Sequence, residues 1–361
     1  MDKNILYFTR TMGLGGTEKV ILQLCNNFKG KFKNIIVCSN GGIHEKELKK
    51  LGIKHYKIND IENKNPINIA KTFISLMKIV NTEKIDVIHT HHRMAAFYVS
   101  LLRKFKNIGF IHTAHNTFTD KKFLTNLVLR NANIVAVGKK VKENLCQFYR
   151  LNSNKIKVIY NGIEKDTNVI KEIPEIKKYK DKGYFIVGNI GRLSKQKGME
   201  YYIEAIPNVL KNNNKVMFYI IGDGEDKEKL ENLSETLGIK KNLIFLGYRN
   251  DVCNVIKQLD LVVLSSLWEG LPLTPIETFS EGKTIIATNI DGTPEIVEDG
   301  VNGLLIEVKN SISTSDNINK LCNDIELKKE LEDNALKKYE EMFTIDSFIK
   351  NYKYYYKKVM E

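Results

Sequence analysis

LVVLSSLWEGLPLTPIE, residues 261–277, reads as a buried strand, a glycine-proline turn and the opening of a helix. Leu261–Ser266 is short, apolar and β-branched enough for an interior parallel strand, and Pro272 and Pro275 suit a helix's first turn. Strand, turn and helix in that order are the unit of an α/β fold with parallel sheets. Glu269 then falls in the loop and Glu277 on the helix, with seven residues between them. The free N–H groups and positive dipole end of that helix favour an anion such as a phosphate at the mouth of the sheet. Two carboxylates cannot bind that anion. They are suited to accept hydrogen bonds from hydroxyls on either side of it, as a sugar and a ribose flanking a diphosphate present.

A second anion-binding element lies upstream, where the strand Tyr184–Ile190 runs into GRLSKQKG, residues 191–198. Glycines at both ends let the backbone approach a ligand closely. Arg192 supplies a planar fork and Lys197 a point charge, and the two can converge on diphosphate oxygens. At about 1.5–3 kcal/mol per charged contact, the pair can stabilise a departing diphosphate without a metal. The bland alternative is a solvated basic turn, a common feature between strand and helix.

Working outward, strand-like and helix-like runs alternate along the whole chain. The first half offers strands at Ile5–Phe8, Ile35–Cys38, Ile53–Ile58, Asp86–His89, Ile108–His112, Ile134–Val137 and Val158–Tyr160. The second offers Phe185–Ile190, Val216–Ile221, Leu243–Leu246, Leu261–Ser265 and Thr284–Ala287. This predicts two Rossmann-like, doubly wound domains, residues 1–165 and 183–344, facing a cleft, with ligands at the carboxyl ends of the strands. Residues 166–182 are polar, Lys-rich and interrupted by Pro174, as a linker is. Residues 345–361 are aromatic-rich and helical in period.

A length of 361 residues fits two domains, and 42% hydrophobic with 27% charged residues is an ordinary soluble composition. No apolar run approaches the ~20 residues that span a bilayer, and the first residues lead straight into a strand, so a cytoplasmic location is expected. The five cysteines are odd in number and widely spaced, with neither a disulfide framework nor zinc spacing. The net charge of +13 is uneven: residues 1–170 carry 29 Lys/Arg against 12 Asp/Glu, a net +17, and residues 171–361 carry 27 against 31, a net −4. Such an excess attracts nucleic acid, an anionic membrane or a phosphorylated acceptor. None of the standard nucleic-acid signatures is present. For peripheral membrane contact the candidates are Phe97–Lys106, aided by Lys121–Leu124, against the alternative of a helix packed on the sheet.

Three motifs admit rival readings. Gly13–Gly16 after strand one lacks the third glycine of the dinucleotide fingerprint, and Ser39 and Asn40 stand where an acid should hold a ribose. Gly15 and Gly16 are read instead as a close-approach loop toward donor phosphates. His89, His91, His92, His112 and His115 invite a metal, yet no acid accompanies them, and buried hydrogen-bonded histidines are common. Asp223–Asp226 reads as an acidic helix start rather than a metal motif. No metal and no cofactor is expected.

Taken together, GRLSKQKG, EGLPLTPIE and ATNIDGTPEIVEDGVNGLL resemble the donor-binding signature of family 4 glycosyltransferases, the retaining GT-B enzymes that use nucleotide-activated sugars. The resemblance runs from end to end, through GLGGTEKV, IHTAHN, VIYNGI and FLGYRNDV. It departs at Gly138, where many relatives have serine, and at Asn116, where glycine is frequent; both bear on the acceptor side. The resemblance implies transfer of a hexose or N-acetylhexosamine, with retention and without metal, from a nucleotide diphosphate sugar, most simply UDP-linked. The acceptor it implies is a saccharide or lipid-linked saccharide bound to the first domain, in capsule or other surface polysaccharide assembly. It implies His115 near the reacting carbon, and Arg192, Lys197 and Glu269 as catalytic groups. It assigns donor contacts to Gly15, Gly16, Gly191, Gly270, Leu271, Leu273, Thr274 and Glu277 and the base to the loop Gly247, Tyr248 and Arg249. It also implies that the terminal helix crosses back onto the first domain. Two other classes stay open: a non-transferase GT-B enzyme such as a sugar-nucleotide epimerase or phosphorylase, and a basic nucleic-acid or membrane-binding module.

Overall fold

A computed structural model describes residues 1–360 and divides into two compact units. One is Met1–Asn161 joined by the chain from Phe348 on; the other is Gly162–Ser347.

The first unit is a seven-stranded parallel sheet: β1 (Asn4–Phe8), β2 (Asn34–Ser39), β3 (Lys54–Lys57), β4 (Val87–Thr90), β5 (Gly109–Ala114), β6 (Asn133–Ala136) and β7 (Ile156–Val158). Their order in space is β3-β2-β1-β4-β5-β6-β7. The winding therefore reverses between β1 and β4, and the loops after those two strands diverge there, the usual place for a ligand in an open α/β sheet. Buried Ile5, Leu6, Tyr7 and Phe8 show that β1 is covered on both faces. The helix Gly16–Phe28 buries Val20, Ile21, Leu24, Cys25 and Phe28, a single stripe at helical spacing.

The terminal helix Ile345–Met360 follows the same rule with aromatics: Phe348, Tyr352, Tyr355 and Tyr356 form its buried stripe. From Phe348 on it belongs to the first unit, as expected for a returning segment. Hydroxyls then find partners inside the sheet. Tyr356 Oη lies 2.9 Å from His89 Nδ1 and 3.1 Å from Tyr7 Oη. His89 Nε2 lies 2.7 Å from Thr113 Oγ1, which is 3.2 Å from Tyr352 Oη. This chain leaves His89 with both nitrogens satisfied.

The second unit repeats the scheme with six parallel strands: β8 (Phe185–Ile190), β9 (Val216–Ile221), β10 (Leu243–Gly247), β11 (Leu261–Leu264), β12 (Ile285–Thr288) and β13 (Leu304–Ile306), ordered β10-β9-β8-β11-β12-β13. Here the winding reverses between β8 and β11, the two strands that precede GRLSKQKG and EGLPLTPIE.

Several expected boundaries shift. β7 is Ile156–Val158, two residues earlier than Val158–Tyr160, because this edge strand pairs only with β6, Ile156 opposite Ile134. β13 was not expected as a strand; its three residues are too few for a periodic signal. The stretch 166–182 is not a free linker but part of the second unit. It contains the helix Pro174–Lys180, and its backbone N–H groups at Lys171 and Ile173 donate to Asn254 and Gln258 at 2.9 Å. Lys257 Nζ holds its start through the Asp166 carbonyl at 2.6 Å.

Burial disfavours the charged form of four histidines in the first unit. His89 and His91 are driven well below their ordinary value by burial and then by neighbouring imidazoles, and His112 and His115 are pushed down to about 3, chiefly by burial. A histidine neutral in the fold contributes stability above the unfolded pKa near 6.5, and loses it as pH falls toward the folded value. The melting temperature is therefore expected to be level from pH 8 to 7 and to decline from about pH 6.5 to 5, above the range where carboxylates titrate. A melting curve that does not move between pH 7 and 5 contradicts neutral burial of this cluster.

Candidate active site

The ends of β8 and β11 carry two loops fastened to each other. Asn189 Nδ2 donates to Ser265 Oγ at 2.9 Å, and Ser265 Oγ donates to the Lys197 carbonyl at 3.1 Å. Leu267 N donates to the Gln196 carbonyl at 2.7 Å, and Gln196 Nε2 to the Trp268 carbonyl at 3.0 Å. Gly198, at φ +53°, presses so closely that a Cβ there would stand 2.4 Å from the Ser265 carbonyl. A residue with a side chain does not fit.

This fastening brings Lys197 against Glu269. Lys197 Nζ donates to Glu269 Oε1 at 2.6 Å, with the two side chains 18% and 8% exposed. Ser266 Oγ donates to the same oxygen at 2.7 Å. Both donors converge on Oε1, and neither engages Oε2. Glu269 is also held by its backbone: its N–H donates to Asp291 Oδ2 at 2.9 Å, from the loop after β12. Thr288 Oγ1 adds a 2.7 Å bond to the Ser266 carbonyl. Gly292 completes the contact, since a Cβ on it would lie 2.1 Å from the Gly270 carbonyl.

Beyond Glu269, Gly270 and Leu271 are buried and lead into the helix Leu273–Ser280, whose N-cap is Pro272. Leu273 and Thr274 occupy its first turn, where N–H groups have no intrahelical acceptor. Glu277 lies one turn further on and is buried. Both acids of EGLPLTPIE are thus sheltered, and a buried carboxylate is retained only where hydrogen bonds or a cation meet it.

Arg192 is arranged differently from the expected convergence with Lys197. It is 64% exposed and pairs with Glu225 of the loop after β9, Nε 3.2 Å and Nη2 3.1 Å from Oε2. Exposed pairs of this kind contribute ~0–1 kcal/mol, so the contact binds the guanidinium loosely. Lys197, half-buried, is paired with Glu269 instead. Gly191 lies beneath Lys197, whose methylenes stand 3.2 Å from where a Cβ would be.

The loop Gly247, Tyr248 and Arg249 follows β10. Arg249 forms a fork on Asp251, at 2.9 and 2.7 Å, and Tyr248 is exposed. Tyr248, Arg249, Asn250 and Asp251, with Asp166 and Asn168, border a cavity of about 440 Å³, whose lining does not include Gly247.

In the first unit, Gly15 caps the helix Gly16–Phe28, and the Glu18 carboxylate folds over it, Oε2 2.4 Å from where a Cβ of Gly15 would be. Thr11 Oγ1 fixes Glu18 Oε1 at 2.9 Å. His115 stands just beyond β5, its Nε2 3.0 Å from His91 Nδ1. Among the described residues no group of three His, Cys, Asp or Glu is arranged to hold a metal ion. Ser266, Asp291, Glu225 and His91 were missed as site residues: the first two lie in the quoted motifs, but Ser266 reveals itself only through its bond to Glu269 in the same loop and Asp291 through one from the Glu269 amide, a strand away.

Comparisons with known proteins agree across the chain. Residues 14–167 match the family described as Glycosyltransferase Family 4, and residues 169–338 match Glycosyl transferases group 1. An Escherichia coli enzyme named UDP-Gal:alpha-D-GlcNAc-diphosphoundecaprenol alpha-1,3-galactosyltransferase is 31% identical over 265 residues, 67% of each chain. An uncharacterized glycosyltransferase of Methanocaldococcus jannaschii is 27% identical over 337 residues, 86% of each. The structure of Anabaena HepE in complex with UDP superposes with a TM-score of 0.85 at 20% identity, over 99% of this chain and 100% of that one.

The Gly292 contact gives a test of the loop geometry. Gly292→Ala is expected to push the 269–271 backbone away and to accelerate amide exchange across residues 266–274, while exchange in β1, β4 and β5 stays as in the wild type. Unaltered exchange in that loop would show that Glu269 is not held from the β12 side.

Proposed function

The chain belongs to the family 4, group 1 glycosyltransferases, GT-B proteins built from two Rossmann-like domains, and from that membership we propose retaining transfer of a hexose or N-acetylhexosamine from a UDP-sugar to a saccharide or lipid-linked saccharide. The observation that carries the reading is the half-buried Lys197–Glu269 pair at the β8/β11 reversal, beside the N-terminus of the helix Leu273–Ser280. A cation and helix amides suit a diphosphate, and the free oxygen of Glu269 suits sugar hydroxyls. The choice of UDP is supported by the donor named for the Escherichia coli relative, and a lipid-linked saccharide by that relative's acceptor. A place in capsule or surface polysaccharide assembly extends the same analogy.

In this reading the acceptor hydroxyl attacks the anomeric carbon on the face from which the nucleotide leaves. The bond from that carbon to the diphosphate oxygen breaks as the new bond to the acceptor oxygen forms. The acceptor's proton passes to the departing phosphate. Lys197, Arg192 and the amides of Leu273 and Thr274 meet the developing charge, so no divalent ion takes part. Gly191, Gly270 and Leu271 line the backbone approach, Glu277 takes the ribose diol, and Tyr248 and Arg249 border the base. His115 is the first unit's contact with substrate, and Gly15 and Gly16 are its close-approach loop.

Contact with an anionic membrane belongs to the same proposal, though not through Phe97–Lys106. There the helix Arg93–Leu102 buries Tyr98, Val99 and Leu102 against the sheet, the alternative weighed from sequence. The helix Lys122–Leu129 instead exposes Phe123 at 82%, with Leu124 and Leu127, beside Lys121 and Lys122. Apolar side chains ringed by lysines suit a surface of acidic lipid.

Incubation with UDP-galactose, UDP-glucose and UDP-N-acetylglucosamine and a lipid-diphosphate N-acetylglucosamine acceptor, with EDTA present, should yield an α-linked product by NMR. Epimerised donor without acceptor, or sugar release only with added phosphate, would favour the other GT-B chemistries. Arg192→Ala is expected to lower turnover about a hundredfold or more with the fold intact, the scale on which loss of one charge donor at a leaving group acts. Normal turnover in that variant removes Arg192 from the leaving-group site. Phe123→Asp should abolish sedimentation with phosphatidylglycerol vesicles while leaving transfer to a water-soluble acceptor; sedimentation that persists rules this helix out.

A further inference from the structure

Three imidazoles stack from the interior of the first unit's sheet toward its carboxyl edge. His89 lies on β4, His91 just after it, and His115 beyond β5. The ring centroids of His89 and His91 are 4.3 Å apart and those of His91 and His115 are 5.2 Å apart, the latter pair 28° from parallel. His89 uses both nitrogens, on Tyr356 and Thr113. His91 does not. Its Nδ1 meets Nε2 of His115 at 3.0 Å, while its Nε2 is buried with no polar partner. The rings of Tyr7, 5.9 Å away, and His89 pack around it.

Both rings are neutral, since burial holds each pKa far below its ordinary value. Each therefore carries one proton, and the contact between them admits two arrangements. If His115 donates from Nε2, the proton of His91 sits on its own Nε2, as a buried N–H without an acceptor. If His91 donates from Nδ1, its Nε2 is a bare lone pair among rings. Orphaned buried donors are the rarer of the two, and an unmade bond to an N–H forfeits the full desolvation of that group. The second arrangement follows, and it places the proton of His115 on Nδ1.

We propose that His91 is a positioning residue: its Nδ1–H donates to His115 Nε2, fixes that ring, and makes His115 present an N–H, not a lone pair, to a substrate oxygen. His115 then recognises a hydroxyl or ring oxygen as a donor and does not take up a proton there as a base. This rests on the reading that His115 touches substrate. It explains why a second histidine with an unsatisfied nitrogen is tolerated inside the sheet: the unsatisfied atom is the consequence of orienting the first. A ring held by a partner behind it in this way is the general means by which one imidazole tautomer is selected.

The tautomers are directly measurable. In the full-length protein labelled with 15N-histidine, with His91→Asn and His115→Gln used for assignment, two-bond nitrogen–proton correlations at pH 7.5 should report His115 protonated at Nδ1 and bare at Nε2, and His91 protonated at Nδ1. A proton on Nε2 of His115 overturns the proposal. His91→Phe keeps the ring and removes the donor; it should shift His115 toward the Nε2–H form and lower kcat about tenfold to a hundredfold, the scale on which an orienting partner acts, with donor KM within about threefold. His91→Asn, whose amide nitrogen replaces Nδ1, should restore the Nδ1–H tautomer and most of that turnover. Equal losses in the Phe and Asn variants, with the His115 tautomer unmoved in both, would reduce His91 to packing. Full turnover in His115→Ala would instead remove His115 from the substrate site, and the tautomer spectra would stand apart from that failure.

Discussion

The second unit is organised around one ionic contact, Lys197 Nζ to Glu269 Oε1, sheltered where β8 and β11 lie side by side. Taking both charges out of water costs several kcal/mol each, and the attraction repays it only if further hydrogen bonds fix the geometry. Those bonds are present as Ser266 on the carboxylate, Asp291 on the Glu269 amide and Ser265 on the Lys197 carbonyl. Gly198 and Gly292 follow as necessities, because the loops that carry the pair close on each other's backbone. The conspicuous glycines of the two motifs are thus consequences of the ion pair's placement.

The first unit solves the same problem of buried polarity without charge. Tyr7, Tyr356, His89, Thr113 and Tyr352 exchange hydrogen bonds as neutral groups, and the same bonds tie the chain's last helix to the sheet. Neutral networks avoid the desolvation cost of ions but require that every member be satisfied. His91 Nε2 is one of the exceptions, and it lies at the carboxyl edge of the sheet. Polar atoms left unmatched in an otherwise matched network are where a fold gives up stability for a site.

Much of this was legible in the chain, and the rest was not for identifiable reasons. The run 261–277 disclosed strand, turn and helix because apolar run length, β-branching and proline act locally. Period and aromatic content marked the terminal helix equally well. The partner of Arg192 could not be read, since Glu225 lies one strand over and pairing across a sheet has no local signature. The segment 166–182 looked like a linker because its composition is polar; what makes it structured is a set of side-chain amides, Asn254 and Gln258, some eighty residues away. His91 was visible only as a histidine that a metal could use. Its geometry against His115 depends on the register of β4 with β5, and a register is set by pairing.

The distribution of charge between the halves separates two electrostatic tasks. The second half is net −4, yet it contains the cations assigned to the diphosphate, and each of those is already engaged with a carboxylate. Such a site attracts little at a distance and discriminates at contact, through hydrogen bonds whose directions are fixed. The first half carries the net +17, much of it on exposed lysines such as Lys104, Lys106, Lys121 and Lys122. Spread over a surface, that excess acts out to a Debye length of ~8 Å at physiological salt, enough to hold the protein near an anionic surface but not to orient one ligand. In the proposed reading, a compact anion falls to the acidic half and an extended anionic surface to the basic half.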